Sequence, residues 1–592
     1  MSVRFSFAAT AAFALVFTGL SLVACSTQSP DEQRQNTTTV PTEVKVIDQN
    51  PKPITTSQER EAPQAVATVQ DSVMEEVVLA GKAARSMSKQ LGFATAPHAP
   101  HYQQMYQDWG RERYEAFSDN GVFWAAQNPV STFSIDVDSA SYANMRRQLN
   151  SGHLPNPDSI RVEELVNYFS YDYPHTATES QPFSIYTEMG PSPWNEARKL
   201  VHIGVNGWDP KSDGQLPPAN LVFLVDVSGS MQAPNKIFLL KNALKMMVKK
   251  MRAEDTISLA VYAGAAGEVL SPTSGAEKAK IYAAIDNLQA GGSTNGGAGI
   301  RLAYGLAEAN LKKDGINRVI LATDGDFNVG TTNIEELERL AEQKRETGVA
   351  LTVLGFGTGN YNDQLMQKIA QAGNGNAAYI DNLNEARKVL IEEMGATLNI
   401  IAKDMKVQIE FNPAVVETYR LIGYETRHLN REDFNNDKVD AGDVGAGHTV
   451  TALYEVTLVG DASVADPLRY QQETADADRD TNELAFLKLR YKAPNEKTSK
   501  LVTQPLLVND IADSMEVTSQ SYRFAGAVAW LGQVLRGNEQ VSHTDMDTIA
   551  TLASSAKGTD PHGYRSEFIN LVRTAGALDL AVTVDQNLPN PG

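Results

Sequence analysis

The ten residues LVFLVDVSGS at positions 221–230 carry the clearest fold signal in the sequence. The first half is an unbroken apolar run, which is typical of a parallel β-strand covered on both faces. The second half changes abruptly to Asp226, Ser228 and Ser230, which are separated by one residue each. The stretch therefore predicts a buried strand whose end carries one carboxylate and two hydroxyl groups.

The chain after this stretch alternates between helical and extended patterns. An amphipathic helix begins near Lys236, and the later elements are predicted as strands over 256–263, 318–322 and 350–356 and helices over 276–288, 298–311, 334–346, 363–372 and 384–398. Strands that alternate with helices predict an α/β domain with a doubly wound, mostly parallel, Rossmann-like sheet. Ligands of such sheets bind at the carboxyl ends of the strands, near the topological switch point.

Two further loops of this predicted domain carry oxygen donors. Thr294 lies in the loop 291–295, and Asp324 follows the strand 318–322. Together with the three polar residues above, they form an oxygen-only set that suits Mg²⁺, Mn²⁺ or Ca²⁺. Five ligands would leave at least one octahedral position open. The alternative is that Ser228 and Ser230 only cap the next helix and that the two aspartates are ordinary strand-end acids.

The order DxSxS, then GGSTN, then TDG resembles the metal-ion-dependent adhesion site of von Willebrand factor type A (VWA) domains. The resemblance implies that a Glu or Asp carboxylate of a protein partner fills the open position on the ion. It implies five metal ligands, namely Asp226, Ser228, Ser230, Thr294 and Asp324. Supporting positions around these ligands would be Gly229, Asn295 and Asp326, although Asp326 could equally cap the turn after Gly325.

The first residues of the chain have the pattern of an export signal. Arg4 precedes an apolar run from residue 5 to residue 20, and LVAC follows at positions 22–25, so residues 1–25 are predicted to be a signal peptide. LVAC resembles a bacterial lipobox, which implies that Cys25 is diacylated and anchors the mature chain in a membrane. Because Ser26 follows, the resemblance favours the periplasmic side of the outer membrane in a Gram-negative cell. The alternative is an ordinary cleavage site beside a chance cysteine.

The flanks of the predicted VWA domain (198–398) differ in character. Residues 26–100 are polar and poor in aromatic side chains, which predicts a disordered tether. Residues 101–197 mix strand and helix patterns and predict an α+β N-terminal domain, whereas residues 399–592 predict a β-rich and then helical C-terminal domain. The strings SIDVDSASYANMRRQL at 134–149 and GAGHTVT at 445–451 resemble the companion domains of bacterial VWA lipoproteins of the YfbK type.

Asp136 and Asp138 suggest a second cation site on the N-terminal flank. A simpler interpretation is that Asp138 or Ser139 caps the helix that begins near Tyr142.

Composition and motifs restrict the function. The 592 residues carry a formal net charge of −20, which argues against nucleic acid as a partner. Cys25 is the single cysteine, so disulfides within the chain and Cys-rich zinc or iron–sulfur sites are excluded. The sequence lacks the serine-hydrolase elbow, the Walker A loop and the HExxH motif, which predicts a protein that is not an enzyme.

The resulting expectation is a lipid-anchored, cell-envelope protein-binding module that binds an acidic residue of a protein partner through Mg²⁺. Two alternatives stay open, namely an envelope scaffold with a purely structural metal and a metal-dependent hydrolase at the same site. The hydrolase would need a general base beside the ion, and none of the three loops contains a histidine.

Overall fold

The computed structural model describes residues 112–586, except 179, 210–216, 293–295, 314, 326–333, 360, 394–398, 462–481, 495 and 542–545. Cys25, the predicted tether, Thr294, Asn295 and Asp326 therefore lie outside the described residues. Among the described residues, no helix combines the length and the apolar character needed to cross a membrane.

The β-strands are numbered in chain order. They are β1 (Phe123–Trp124), β2 (Val130–Ser134), β3 (Phe183–Ser192), β4 (Asn195–Gly207), β5 (Ala219–Asp226), β6 (Thr256–Tyr262), β7 (Ala266–Ser274), β8 (Ile316–Thr323), β9 (Ala350–Phe356), β10 (Ala377–Ile380), β11 (Ile400–Phe411), β12 (Val416–Ile422), β13 (Gly442–Gly445), β14 (Thr449–Leu458), β15 (Glu483–Lys492) and β16 (Lys500–Leu507).

The α-helices are numbered in the same way. They are α1 (Ala140–Asn150), α2 (Val162–Asn167), α3 (Leu239–Lys250), α4 (Lys278–Asp286), α5 (Gly296–Ala309), α6 (Ile334–Glu346), α7 (Asp363–Ala372), α8 (Leu383–Arg387), α9 (Gln520–Arg536), α10 (Met546–Ser555) and α11 (Tyr564–Gln586). The predicted helix 384–398 is shorter in the structure, because α8 ends at Arg387 and a π-helical turn follows from Lys388 to Glu392.

A central six-stranded sheet confirms the predicted α/β architecture. Its strand order is β10-β9-β8-β5-β6-β7, and neighbouring strands are parallel except for β6 and β7. All residues of β5 are buried, because one face of the sheet packs on α3 through Leu240 and Leu244 and the other packs on α5 through Ile300 and Ala303. The sequence pattern did not predict the antiparallel edge strand β7, since most of its residues are partly or fully exposed.

The order of the strands creates a topological switch point at β5. Its successor β6 lies on one side and β8 lies on the other side. Val225 of β5 pairs with Ala322 of the parallel strand β8. Asp226 at the end of β5 and Asp324 just after β8 therefore emerge at the same edge of the sheet, where ligands of doubly wound sheets bind.

The strands that flank the central sheet in sequence form two antiparallel sheets. One has the order β1-β12-β14-β4-β3, and the other has the order β13-β11-β15-β16, with β2 also paired to β11. Both sheets contribute to one apolar core that includes Phe133, Val201, Phe411 and Tyr454. The flanks are β-rich, as predicted, and the two flanks pair with each other: β4, which contains the predicted boundary at residue 198, pairs with β14.

The helices of the two flanks also share one core. α1 and α2 pack against α9, α10 and α11. Phe524 and Val528 on α9 are fully buried, and the ring of Phe524 meets that of Phe169 edge to face at a centroid distance of 5.0 Å. The segments before and after the central sheet are therefore joined by helices as well as by strands.

The capping prediction for α1 is wrong. Ser139 occupies the N-cap position but makes no capping hydrogen bond. Asp138 instead accepts a 2.8 Å hydrogen bond from the backbone nitrogen of Ala377 on β10 and a 3.0 Å bond from Arg427. Arg427 also pairs with Asp136 at 3.1 Å. The two aspartates therefore share one arginine, and Asp138 connects the flank to the central sheet. No cluster of three or more possible metal ligands includes them among the described residues.

Candidate functional site

Asp226 lies inside the protein at the end of β5, with both carboxylate oxygens hydrogen-bonded. Oδ1 accepts a 2.8 Å bond from the backbone nitrogen of Ser228, and Oδ2 accepts bonds from the hydroxyls of Tyr262 at 3.0 Å and Thr323 at 3.3 Å. Burial raises the pKa of Asp226 above its ordinary value, and the charge of Asp324 adds to this, although the bonds from Ser228 oppose it. A nearby cation would stabilise this buried carboxylate.

Ser228 and Ser230 place two hydroxyl groups beside Asp226. Their Oγ atoms are 2.9 Å apart, and Ser228 is buried whereas Ser230 is exposed. Ser228 precedes the 3₁₀ turn Gly229–Gln232 but makes no side-chain capping bond. Helix capping therefore does not account for Ser228. The two bonded hydroxyl oxygens are possible metal ligands, one in the interior and one at the surface.

The second predicted ligand loop packs against this first loop. The backbone nitrogen of Gly229 donates a 3.0 Å bond to the oxygen of Gly292, and Gly291 donates a 2.7 Å bond to the oxygen of Val227. Gly292 has a φ of +98°, a left-handed conformation that glycine adopts without strain. Thr294 and Asn295 follow just outside the described residues, so their assigned roles stay predictions, as does that of Asp326.

Asp324 is fully buried after β8 and pairs with a lysine. Its Oδ2 accepts a 2.8 Å hydrogen bond from Nζ of Lys236, whose side chain is 8% exposed. The motif comparison did not point to Lys236, but the helix pattern contains the signal. Lys236 lies four residues before Leu240 and eight before Leu244, on the apolar stripe of the helix. A lysine on a buried stripe requires an acidic partner.

The structure brings four of the five predicted ligand residues together. Asp226 bonds Ser228, Ser228 bonds Ser230, and the charge of Asp324 acts on Asp226. All the donors are oxygen atoms, which suit a hard divalent cation. In the part of the chain that the structure describes, no cluster of three or more His, Cys, Asp or Glu side chains offers a different metal site. The assignment of these residues as metal ligands remains a prediction.

A cavity of about 330 Å³ lies between the central sheet and the flanking strands. Its walls include Arg318 and Thr352, near the starts of β8 and β9, so it lies away from the edge that carries Asp226 and Asp324. Its polar groups bond within the protein: Arg318 donates to Thr352 at 2.6 Å, and Asp443 accepts from Asn374 at 2.8 Å. The first contact links two strands of the central sheet, and the second joins the central domain to the C-terminal flank.

Three family models match the chain. Residues 220–392 match the von Willebrand factor type A domain, residues 396–578 match the C-terminal domain described as "Uncharacterized protein YfbK, C-terminal", and residues 108–202 match a model described as "von Willebrand factor". VWA domains commonly bind a divalent metal at the site described above and often bind protein partners through it. They are typically interaction modules and not enzymes.

The chain is 49% identical over 480 residues to uncharacterized protein YfbK of Escherichia coli K12, a match that covers 80% of this chain and 82% of the relative. A relative from Synechocystis sp. is 26% identical over 315 residues, which cover 52% of this chain and 70% of that protein. A solved von Willebrand factor type A structure from Catenulispora acidiphila aligns with 68% of this chain and 91% of its own length, at 15% identity and a TM-score of 0.36. On the strength of the E. coli match and the two domain matches, the chain belongs to the YfbK-like family, with a central VWA domain and a YfbK-type C-terminal domain.

Proposed function

We propose that the edge formed by β5 and β8 binds a divalent cation and, through it, an acidic side chain of a protein partner. Mg²⁺ is the expected ion, with Mn²⁺ or Ca²⁺ as alternatives. When bound, the ion would supply a Lewis-acid centre that accepts one further oxygen, from a Glu or Asp of the partner. The observation that carries this proposal is the grouping of two buried carboxylates and two bonded hydroxyls at one strand edge. The residues that would hold the ion are Asp226, Ser228, Ser230, Thr294 and Asp324.

The surroundings of Ser230 favour access by a partner. Ser230 is exposed, and so are Gly264, Ala265, Gly291 and Gly292 in the neighbouring loops. A side chain placed on Gly292 would lie within 4 Å of the loop at Gly264, so these two loops are adjacent. Because the exposed residues around the hydroxyl are small, an incoming carboxylate would meet little steric hindrance.

The proposal includes a location. Lipidation of Cys25 would anchor the chain in the cell envelope, facing the periplasm from the outer membrane in a Gram-negative cell. A flexible segment over residues 26–100 would let the folded part stand off the membrane by roughly 45–50 Å. The formal charge of −20 favours protein partners over nucleic acid.

A second candidate function is an envelope scaffold in which the site has only a structural role. The ion pair between Lys236 and Asp324 favours this candidate, because it balances one buried carboxylate without any partner. The two candidates differ in whether binding of a partner depends on the ion.

Thermal unfolding of the full mature chain tests the metal site first. Mg²⁺ should raise the melting temperature relative to EDTA, as any ligand that binds only the native state does. The shift should disappear in an Asp226→Ala, Ser228→Ala double variant and persist in a control with the exposed Asp172 and Ser180 replaced by Ala. Equal shifts in all three proteins would place the ion elsewhere.

Cross-linking in cells, followed by mass spectrometry, then tests the partner. Cross-links to a partner should be lost in Asp226→Ala and kept in the Asp172→Ala control. A partner retained by a folded Asp226→Ala variant would favour the scaffold.

A further inference from the structure

We propose that Lys236 sets the charge of this site, so that a divalent cation binds weakly alone and strongly together with a carboxylate ligand. The inference rests on the proposed function, because it concerns the same cation site. One buried lysine would then make the affinities for the ion and for the acidic partner depend on each other.

Lys236 is held in place beside Asp324. Its Nζ lies 2.8 Å from Oδ2 of Asp324, and the two side chains are 8% and 0% exposed. Lys236 lies in the π-helical turn Pro234–Phe238, where its backbone nitrogen donates a 3.0 Å bond to the oxygen of Ala233. The helix start therefore directs the ammonium group to the carboxylate.

Gly357 provides the space for the aliphatic stem of Lys236. A Cβ atom on Gly357 would lie 2.2 Å from Cε of Lys236 and 2.4 Å from Cγ, so any larger residue would collide with the lysine. Gly357 also has a φ of +78°, and its backbone oxygen accepts a hydrogen bond from the hydroxyl of Tyr379. The aliphatic stem of Lys236 is therefore packed in the interior, so its ammonium group has a fixed position beside Asp324. A surface lysine that pairs with an acid lacks this packing.

The charges of the described groups explain the coupling. Asp226 and Asp324 contribute two negative charges and Lys236 contributes one positive charge, which leaves the site at minus one. A divalent cation would bring it to plus one, and one partner carboxylate would then bring it to zero. Without the lysine, the cation alone would give neutrality and the carboxylate would leave a net negative charge. A single Lys236 substitution shifts this count by one unit whatever other groups surround the site.

Net charge in a buried site is unfavourable, because the low dielectric strengthens electrostatic interactions and water cannot screen them. Lys236 therefore opposes the cation when it is alone and favours the complete set of cation and carboxylate. By linkage, the ion and the carboxylate must each raise the affinity of the other by the same factor. The site would release its ion when no acidic partner is present.

Binding of Mn²⁺ to the full chain tests this inference, with free Mn²⁺ measured by electron paramagnetic resonance. The proteins are wild type, Lys236→Met and the control Lys249→Met, which removes an exposed charge from α3, the helix that follows Lys236. Each is titrated in sodium chloride and in sodium acetate of equal ionic strength. Lys236→Met should bind Mn²⁺ alone about tenfold more tightly than wild type, by the Coulomb interaction that it loses. Acetate should tighten Mn²⁺ binding to wild type and the control but not to Lys236→Met.

The outcomes separate the inference from the proposed function. Equal Mn²⁺ affinities in wild type and Lys236→Met, or weaker binding by the variant, would overturn the inference and leave the cation site standing. Absence of Mn²⁺ binding by all three proteins would overturn the proposed function together with the inference. If circular dichroism shows that Lys236→Met does not fold, Lys236→Gln removes the charge, keeps a hydrogen-bond donor and carries the same expectation.

Discussion

The hydroxyl group of Tyr262 donates a 3.0 Å hydrogen bond to Oδ2 of Asp226. The two residues are register partners on the parallel strands β6 and β5, and both are fully buried. The neighbouring strand therefore orients the carboxylate of Asp226, which is a predicted metal ligand. Replacing a residue that orients a metal ligand by a hydrogen bond commonly lowers metal affinity by roughly 10- to 100-fold.

Replacing Tyr262 by Phe should weaken binding of Mg²⁺ about tenfold or more, because Asp226 loses the bond that orients it. The free energy of unfolding should fall by about 1 kcal/mol, since one hydrogen bond is lost and a buried acceptor loses a donor. Calorimetric titration with Mg²⁺ and urea unfolding measure the two effects on the full chain.

Tyr304→Phe is the matched control. Tyr304 is also fully buried in the central domain, and its hydroxyl has no hydrogen-bond partner among the described residues. Its replacement should leave the Mg²⁺ affinity unchanged and should not lower the stability. If both variants lose Mg²⁺ affinity equally, the bond to Asp226 is not the cause.

Arg146→Met should destabilise the protein by about 3 to 5 kcal/mol, because it removes the cation that pairs with two nearly buried carboxylates. The guanidinium group of Arg146 is 1% exposed and pairs with Asp381, Glu385 and Glu567, of which the first two lie nearly buried beside the central sheet. It thereby joins α1 to the VWA domain and to α11. Urea unfolding of the full chain measures the loss.

An exposed ion pair supplies the comparison for Arg146. Arg301 pairs with Glu336 at 3.4 Å, with both side chains more than half exposed. Arg301→Met should therefore cost less than about 1 kcal/mol. A similarly small loss for Arg146→Met would show that α1 contributes little to the attachment of the VWA domain.

The sequence was most informative where the pattern of neighbouring residues determines the structure. The apolar run of β5 and the spacing of Asp226, Ser228 and Ser230 are local features, so the buried strand and its donor-bearing loop could be predicted. The pairing of β4 with β14 could not be predicted, because it joins segments from opposite sides of the central domain and local patterns carry no information about it.

The polar contacts that connect the domains were missed for a related reason. Asp138 was predicted to cap a helix, but its role depends on Arg427 and on the backbone of Ala377, both distant in sequence. The role of Lys236 was not predicted for a different reason: the motif assigns its partner Asp324 to the metal and gives no role to a lysine. A charged residue on an apolar stripe is the pattern that would have identified it.

The stability of the protein should fall as the pH rises from about 4 to about 7 because of Asp443. Burial raises the pKa of this carboxyl from 3.8 to about 7, although its Oδ1 accepts a 3.1 Å bond from the backbone nitrogen of Asp404 and its Oδ2 accepts a bond from Asn374. Since the folded pKa exceeds the unfolded one, the folded state binds the proton more tightly. The resulting stabilisation is fully present below the unfolded pKa and is lost as the pH rises through the folded pKa.

Asp443→Asn keeps a neutral polar group at this position. The free energy of unfolding of the variant should equal that of wild type near pH 4 and exceed it by about 4 kcal/mol near pH 8, because a rise in pKa from 3.8 to about 7 corresponds to about 1.4 kcal/mol per pKa unit. Urea unfolding across this pH range measures the difference, and Asp172→Asn at an exposed position serves as the control. A constant difference between wild type and Asp443→Asn at all pH values would contradict the assignment.

Cys25→Ser should abolish lipid labelling of the chain and release it from the membrane fraction, or leave the precursor uncleaved. The reason is that the proposed anchor is a thioether bond, which serine cannot form. Metabolic labelling with a fatty acid and fractionation of cells measure the two effects. Ser26→Ala is the control and should remain lipidated. Unchanged lipidation and membrane association of Cys25→Ser would refute the proposed anchor.

Binding of a partner should depend on one of the partner's carboxylates as strongly as it depends on the metal. Once a partner is identified by cross-linking, its binding to the full chain should vanish in EDTA and return with Mg²⁺. It should also fail for Asp324→Ala, although circular dichroism shows a folded protein. Ca²⁺ should restore binding less well than Mg²⁺, because it prefers more ligands and longer bonds.

The most informative substitution is in the partner protein. Replacing the single interfacial Glu or Asp of the partner by Gln or Asn keeps the shape of the side chain but removes the negative charge, so it should weaken binding as much as EDTA does. Neutralising an acid elsewhere on the partner's surface is the control. If the partner binds equally well in EDTA, or tolerates neutralisation of every interfacial acid, the ion does not bridge the two proteins. The VWA domain would then act as a scaffold, with the pair of Lys236 and Asp324 as part of its permanent structure.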